Sequence, residues 1–142
     1  MQEIKSLKSI PLVIGQSGKE SLTAKTVGGV REAWLRNPEL YERIFREIDG
    51  LTLQGVEAIH NYDLEHLGEL MNVCHGLLNA LRVSSWELEE LIQIAREHGA
   101  LGAKLTGGGG GGSMVALCPE HPEKVIAAMR EAGYQAMEVK IG

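Results

Sequence analysis

A run of six glycines at residues 107–112 constrains the fold of this 142-residue chain more than any other feature. Each glycine kept where alanine would fit lowers the stability of the folded chain by about 0.4–1 kcal/mol. The reason is that glycine loses more conformational freedom on folding than alanine does. One explanation for the six glycines is a flexible hairpin loop or a linker. The other is a backbone without Cβ atoms, whose N–H groups can lie close to a phosphate or to another chain.

The residues on both sides of the glycine run favour an ordered hairpin. Gly102–Leu105 and Met114–Leu117 are each typical of a short strand. A flexible spacer is not expected to have strands so near to both of its ends. Two nucleotide-binding motifs do not apply. The G-x-x-x-x-G-K-[ST] loop requires a lysine where the chain has Ser113, and the G-x-G-x-x-G loop requires a helix after the glycines.

Two further strands are predicted near the ends of the chain. Ile10–Gly15 is an apolar run, and Gln16–Gly18 after it predicts a turn. Ala136–Ile141 predicts the last strand. Apolar residues at helical spacing predict helices at about residues 21–35, 38–61, 64–81, 85–98 and 122–132.

Capping residues mark the ends of several of these helices. Asn37 precedes a proline at the first helical position, and Asp63 precedes the third helix. Ser84 with Glu87 three residues later predicts a capping box for the fourth helix, whose predicted C-cap is Gly99.

The order of these elements predicts the fold class. A strand, four helices, a hairpin of two strands, a helix and a strand make a βαββαβ arrangement. The chain is therefore expected to be an α+β protein, a ferredoxin-like plait with extra helices inserted in the first crossover. Residues 1–142 are expected to form one domain, because 44% of them are hydrophobic and no long linker divides them.

Composition excludes several classes of partner. A formal net charge of −5 and 4% aromatic residues argue against binding to nucleic acid. The apolar runs are too short for a membrane span or a signal peptide, so a cytoplasmic location is expected. Cys74 and Cys118 lack metal-site spacing and are predicted to be reduced, buried residues.

No catalytic or metal-ligating constellation is recognisable from the side chains. The chain has only two aspartates, Asp49 and Asp63, so a pair of carboxylates for acid–base catalysis is poorly supplied. The five histidines lack the spacing of a metal site. His75, near Asn72 in the third helix, interrupts an apolar face and is either a core histidine or a binding residue.

Three motifs resemble those of the GHMP kinases, most closely the mevalonate kinases. Lys104–Ser113 resembles the third motif of that family, K-L-T-G-A-G-G-G-G-C. Pro11–Gly18 resembles P-L-V-I-G-[DN]-[ST]-G, and Leu70–Leu78 resembles L-M-N-x-N-H-x-L-L. The motifs have the same order as in the C-terminal half of these kinases, and the resemblance covers the chain from Pro11 onwards.

The resemblance implies a plait whose glycine hairpin faces the nucleotide phosphates held by the other half of the enzyme. It implies that Thr23 and His75 lie toward a mevalonate-like substrate, and that ATP with Mg²⁺ binds only in the complete enzyme. For Lys104, the alternative is a strand-edge lysine that faces water. The residues implied to contact or support the nucleotide are Lys104, Thr106, Gly107, Gly108, Gly109, Gly110, Gly111, Gly112 and Ser113.

The chain also departs from the family pattern. Gly108 replaces the usual Ala, Ser113 the usual Cys and Cys74 a usual Asn, and only Thr23 matches the Ser-Thr-Lys at the start of the first helix. The N-terminal half, with its phosphate-binding loop and catalytic Asp, is absent from the sequence. The isolated chain is therefore expected to be inactive as a kinase.

Two functions remain open from the sequence. The first is the C-terminal half of a mevalonate kinase, which transfers a phosphoryl group from ATP for isoprenoid precursor synthesis and needs an N-terminal half as partner. The second is a free-standing ferredoxin-like binding or dimerisation module without kinase activity. In that case a homodimer would cover the apolar face that the missing half leaves exposed.

Overall fold

The computed structural model describes residues 9–20, 23–106 and 111–141, and the predicted order of elements is confirmed within them. No helix in this part of the chain is long and apolar enough to cross a membrane. The elements in chain order are β1 (Ile10–Glu20), α1 (Thr23–Arg36), α2 (Pro38–His60), α3 (Leu64–Ala80), α4 (Trp86–Glu97), β2 (Gly102–Leu105), β3 (Gly111–Leu117), α5 (Pro122–Glu131) and β4 (Gln135–Ile141).

The described strands form one antiparallel sheet in the order β2-β3-β1-β4. Strand β1 pairs on one side with β3, where Leu12 lies opposite Leu117. On its other side it pairs with β4, where Ile10 lies opposite Ile141. This sheet, with α1–α4 between β1 and β2, confirms the predicted α+β class and the extra helices in the first crossover.

Helices cover both faces of the sheet. On one face, α4 and α5 enclose a core with Val13 of β1 and Met114 of β3. On the other face, α2 and α3 pack Ala58 and Leu67 against Leu117 of β3. Strands β2 and β3, which frame the glycine run, are therefore held between two helical layers.

Strand β1 is longer than predicted, and the turn predicted at Gln16–Gly18 is wrong. The strand continues to Glu20, which pairs with Gly111 after a register shift. Gly18 adopts a φ of 77° at this irregularity. Glycine tolerates positive φ, so the residues that signal a turn here permit a bulge instead.

The predicted caps are only partly right. Asp63 caps α3, because its carboxylate accepts a hydrogen bond from the His66 N–H at 3.2 Å. The N-cap of α4 is Ser85 rather than Ser84, and its Oγ accepts from the Leu88 N–H. The C-cap of α4 is His98 rather than Gly99, which follows it with a φ of 104°. The helix thus starts one residue later than the predicted capping box.

Both cysteines are free and buried, as predicted. Burial, with a smaller contribution from the charge of Glu138, raises the pKa of Cys118 from 9.0 to about 11. The neutral thiol is therefore favoured by the folded state. Its contribution to stability is complete below about pH 9 and is lost as the pH rises toward 11.

The two thiols are expected to react with iodoacetamide in sequence. At pH 8 Cys74, which lines a surface cavity, should be alkylated first. Cys118 is fully buried and should be alkylated only when the chain unfolds, because its thiolate is rare and inaccessible. Mass spectrometry of timed samples, with a urea-unfolded sample as control, measures both rates. Equal alkylation rates for the two cysteines in the folded chain would contradict the complete burial of Cys118.

Candidate functional site

The glycine run leaves the sheet at the end of the hairpin formed by β2 and β3. Residues 107–110, which include the predicted Gly107, Gly108, Gly109 and Gly110, lie outside the described residues. The Thr106 N–H donates to the Ser113 carbonyl oxygen at 3.0 Å, and Ser113 lies opposite Gln16 of β1. The structure therefore brings Thr106 and Ser113 together, and β1 supports them from the side.

Gly112 lies where a side chain would collide with neighbouring groups. A Cβ atom there would lie 2.9 Å from the Ser17 Oγ and 3.4 Å from the Leu88 side chain. A Cβ atom at this position would require the Ser17 hydroxyl to move, so packing favours glycine at the β3 end of the run. Flexibility alone does not account for glycine at this position.

Helix α3 approaches β2 so closely that two glycines face each other. A Cβ atom on Gly102 would lie 2.2 Å from the Gly68 carbonyl oxygen. A Cβ atom on Gly68 would lie 2.5 Å from the Leu101 carbonyl oxygen. This contact is not among the sequence-based predictions. A glycine inside a helix, four residues before Asn72 and seven before His75, is the signal that could have indicated it.

Asn72 and His75 of α3 supply hydrogen bonds to the outer edge of β2, which is the side of this strand that faces away from β3. The Asn72 Nδ2 donates to the Leu101 carbonyl oxygen at 3.3 Å, and its Oδ1 accepts from the Ala103 N–H at 3.1 Å. The His75 Nδ1 accepts from the Leu105 N–H at 3.2 Å. The Leu101 and Thr106 N–H groups donate instead to β3, to the Leu117 and Ser113 carbonyl oxygens. The N–H groups that α3 satisfies, those of Ala103 and Leu105, are two residues apart and lie on the other side of the strand. The two side chains take the place of a neighbouring strand.

His75 is buried and has a second partner on α4. Only 3% of the residue is exposed, and its Nε2 donates to the Glu89 Oε2 at 2.8 Å. The Ser84 hydroxyl donates to the same carboxylate oxygen. Because a backbone N–H can only donate, Nδ1 carries the lone pair and the ring is the neutral Nε2–H tautomer. Glu89 and Ser84 were not singled out from the sequence as partners of this ring.

Lys104 lines a cavity of about 180 Å³ between α2 and α3. Leu51 and Thr52 come from α2, and Met71 and Cys74 come from α3. The Lys104 Nζ donates to the Leu105 carbonyl oxygen at 3.0 Å. The ammonium group thus satisfies the carbonyl of the same residue whose N–H bonds to His75.

Thr23 is the first residue of α1, and its side chain lies outside the described residues. Its predicted place beside a substrate therefore stays a prediction. By contrast, Lys104, Thr106, Ser113 and His75 all lie at the end of the hairpin from which the glycine run departs.

A protein-family model matches residues 56–135, more than half of the chain, and its description is "GHMP kinases C terminal". The chain belongs to the GHMP kinase C-terminal family. The resemblance to this family is thereby confirmed, and the matched segment contains the motifs at Leu70–Leu78 and Lys104–Ser113. The matched segment includes α5 and also α3, α4 and the β2–β3 hairpin, which make the hydrogen bonds of the site.

Mevalonate kinases are among the relatives of this GHMP kinase domain. It is 42% identical over 137 residues to the mevalonate kinase of Thermococcus sibiricus and 43% identical over 137 residues to that of Pyrococcus abyssi. Each alignment covers 93% of this chain and 41% of the relative. The chain thus spans about two fifths of the length of these relatives and matches their C-terminal part.

Solved mevalonate kinases share the fold of this domain. The crystal structure of the L. major enzyme in complex with R-mevalonate is 32% identical, with a TM-score of 0.82, over 93% of this chain and 43% of that one. The Methanococcus jannaschii enzyme is 28% identical, with a TM-score of 0.75, over 97% of this chain and 42% of that one.

Proposed function

We propose that this chain forms the C-terminal half of a mevalonate kinase, which transfers a phosphoryl group from ATP to mevalonate in isoprenoid precursor synthesis. The observation that carries the proposal is the glycine run of residues 107–112, which lies in the third GHMP motif at the end of a closely packed hairpin. The similarity to mevalonate kinases extends over 93% of the chain. It disfavours a binding or dimerisation module without this chemistry.

In the proposed enzyme the glycine run closes over the phosphates of ATP. Backbone N–H groups without neighbouring Cβ atoms can approach phosphate oxygens and stabilise charge that develops during transfer. The Thr106–Ser113 pair holds the two ends of the run at a fixed separation, and Lys104 stabilises the strand before it. Thr23 is the proposed contact with mevalonate. An N-terminal half supplies the second wall of the cleft and the catalytic group.

Mg²⁺ would enter this enzyme together with ATP. In the described part of the chain, no group of three or more His, Cys, Asp or Glu side chains could hold a metal ion. In this proposal the part of this half is to position the phosphates. The proposed location of the complete enzyme is the cytoplasm.

The proposal is tested by supplying an N-terminal half. The purified chain is mixed with the N-terminal part of the Thermococcus sibiricus mevalonate kinase, and ADP release is measured with ATP, Mg²⁺ and mevalonate. We expect turnover in the mixture and none with either part alone, since each supplies one wall of the cleft. Gly109→Val should lower this turnover at least about tenfold, because its side chain keeps backbone N–H groups away from the phosphates.

Gly50→Ala is a control for replacing a glycine outside the run. Gly50 lies in α2, and a Cβ atom there meets nothing within 4 Å. This variant should keep turnover within about twofold of the unchanged chain, because the substitution is compatible with a helix. A folded mixture without turnover would contradict the proposed function. Turnover with phosphomevalonate in place of mevalonate would contradict the proposed substrate.

A further inference from the structure

We infer that His75 is a positioning residue for phosphoryl transfer, which fixes the end of β2, just before the glycine run, by holding the Leu105 N–H. The inference rests on the proposed function for its catalytic consequence. It differs from the sequence-based expectation that His75 contacts the substrate. In the structure both ring nitrogens already bond to protein groups, and 3% of the residue is exposed.

The position of Leu105 decides where the glycine run begins. Leu105 is the last residue of β2, and Thr106 after it closes the hairpin through its bond to Ser113. The run starts at the next residue. A displacement of the Leu105 backbone would therefore move the run relative to phosphates held by the other half. Transfer is sensitive to such a displacement, because misplacement by about 1 Å can reduce a rate on the order of a hundredfold.

The imidazole is itself held in one orientation. Its Nε2 donates to the carboxylate of Glu89 on α4. The same carboxylate also accepts a hydrogen bond from the Ser84 hydroxyl, which holds it in place. Rotation of the ring by 180° about χ2 would remove both nitrogens from their partners. The geometry therefore links α3, α4 and the end of β2 through one side chain.

Two substitutions separate the functions of the two nitrogens. In His75→Asn, the carboxamide oxygen can occupy the place of Nδ1 and accept from Leu105, but the bond to Glu89 is lost. In His75→Gln, the longer amide can reach Glu89, but nothing at the Nδ1 position accepts from Leu105. His66→Gln is the control for a histidine substitution on α3, because His66 lies on the exposed surface of that helix.

Hydrogen exchange in the isolated 142-residue chain tests the bond directly. The Leu105 amide should exchange about tenfold faster in His75→Gln than in the unchanged chain. In His75→Asn and His66→Gln its rate should stay within about threefold, because the acceptor is kept. Nitrogen NMR of the unchanged chain should show an unprotonated Nδ1. Equal acceleration in His75→Asn and His75→Gln, or a protonated Nδ1, would overturn the inference.

Kinetics in the mixture with the N-terminal part test the consequence for transfer. We expect kcat to fall about tenfold in His75→Gln and no more than about threefold in His75→Asn, with the KM for mevalonate within about twofold in both. A rise in this KM in both variants would indicate substrate contact and overturn the inference. An unchanged chain without turnover would count against the proposed function alone, since the exchange rates still decide whether His75 holds Leu105.

Discussion

Replacing Gly68 with alanine is expected to lower the free energy of unfolding by about 3 kcal/mol, although alanine is the better helix former. A Cβ atom at this position would lie 2.5 Å from the Leu101 carbonyl oxygen and 2.6 Å from its carbonyl carbon. Both are backbone atoms, so no flexible side chain can move aside. Either α3 or the start of β2 would have to shift, and urea unfolding followed by circular dichroism measures the loss.

Gly76→Ala is the matched control, because Gly76 belongs to the same helix. A Cβ atom there meets nothing within 4 Å. This substitution should raise the free energy of unfolding by about 0.5–1 kcal/mol, the usual difference between the two residues inside a helix. Opposite signs for the two variants would isolate the contact with β2. A stabilised Gly68→Ala chain would contradict the close approach of α3 and β2.

The contact of Gly68 with β2 also determines the hydrogen bonds made farther along α3. Asn72 and His75 follow it at intervals of four and three residues, so all three lie on one face of the helix. If the helix moved away from β2, the 3.2 Å bond from Leu105 to His75 would lengthen. The stability of this packing and the position of the glycine run are therefore coupled.

The sequence predicts the order and type of the elements because their signals are local. Apolar spacing identifies the helices, and Asp63 marks the start of α3 through a hydrogen bond to a residue three positions away. Local signals cannot choose between two local structures that the same residues suit equally well. Gly18 suits both a turn and a bulge, and Ser84 and Ser85 are both acceptable caps. In each case tertiary pairing decides.

The candidate site is predicted only in part, for the same physical reason. The third-helix motif identifies Asn72 and His75, but their partners in β2 and just before it lie 29 to 31 residues away in sequence. No periodicity connects residues at such separations. The outer edge of β2 is defined only once the sheet has formed. The assignment of His75 therefore depends on the structure, which shows both ring nitrogens in use.

Asn72→Ala is expected to lower the free energy of unfolding by about 3 kcal/mol, because it removes the partners of two backbone groups. The Leu101 carbonyl oxygen loses its donor, and the fully buried Ala103 loses the acceptor of its N–H. The Arg96 Nε also loses its acceptor, the Asn72 Oδ1 at 3.2 Å. Buried groups left without hydrogen bonds account for most of this loss, which urea unfolding measures.

Two other substitutions make the role of Asn72 specific. Asn79→Ala removes an exposed asparagine of the same helix and should change the free energy of unfolding by no more than about 0.5 kcal/mol. Asn72→Asp keeps an acceptor for Ala103 and for Arg96 but places a carboxylate oxygen against the Leu101 carbonyl. Its loss should therefore lie between those of the two alanine variants. If Asn72→Ala and Asn79→Ala were equally stable, the outer edge of β2 would not depend on α3 for its hydrogen bonds.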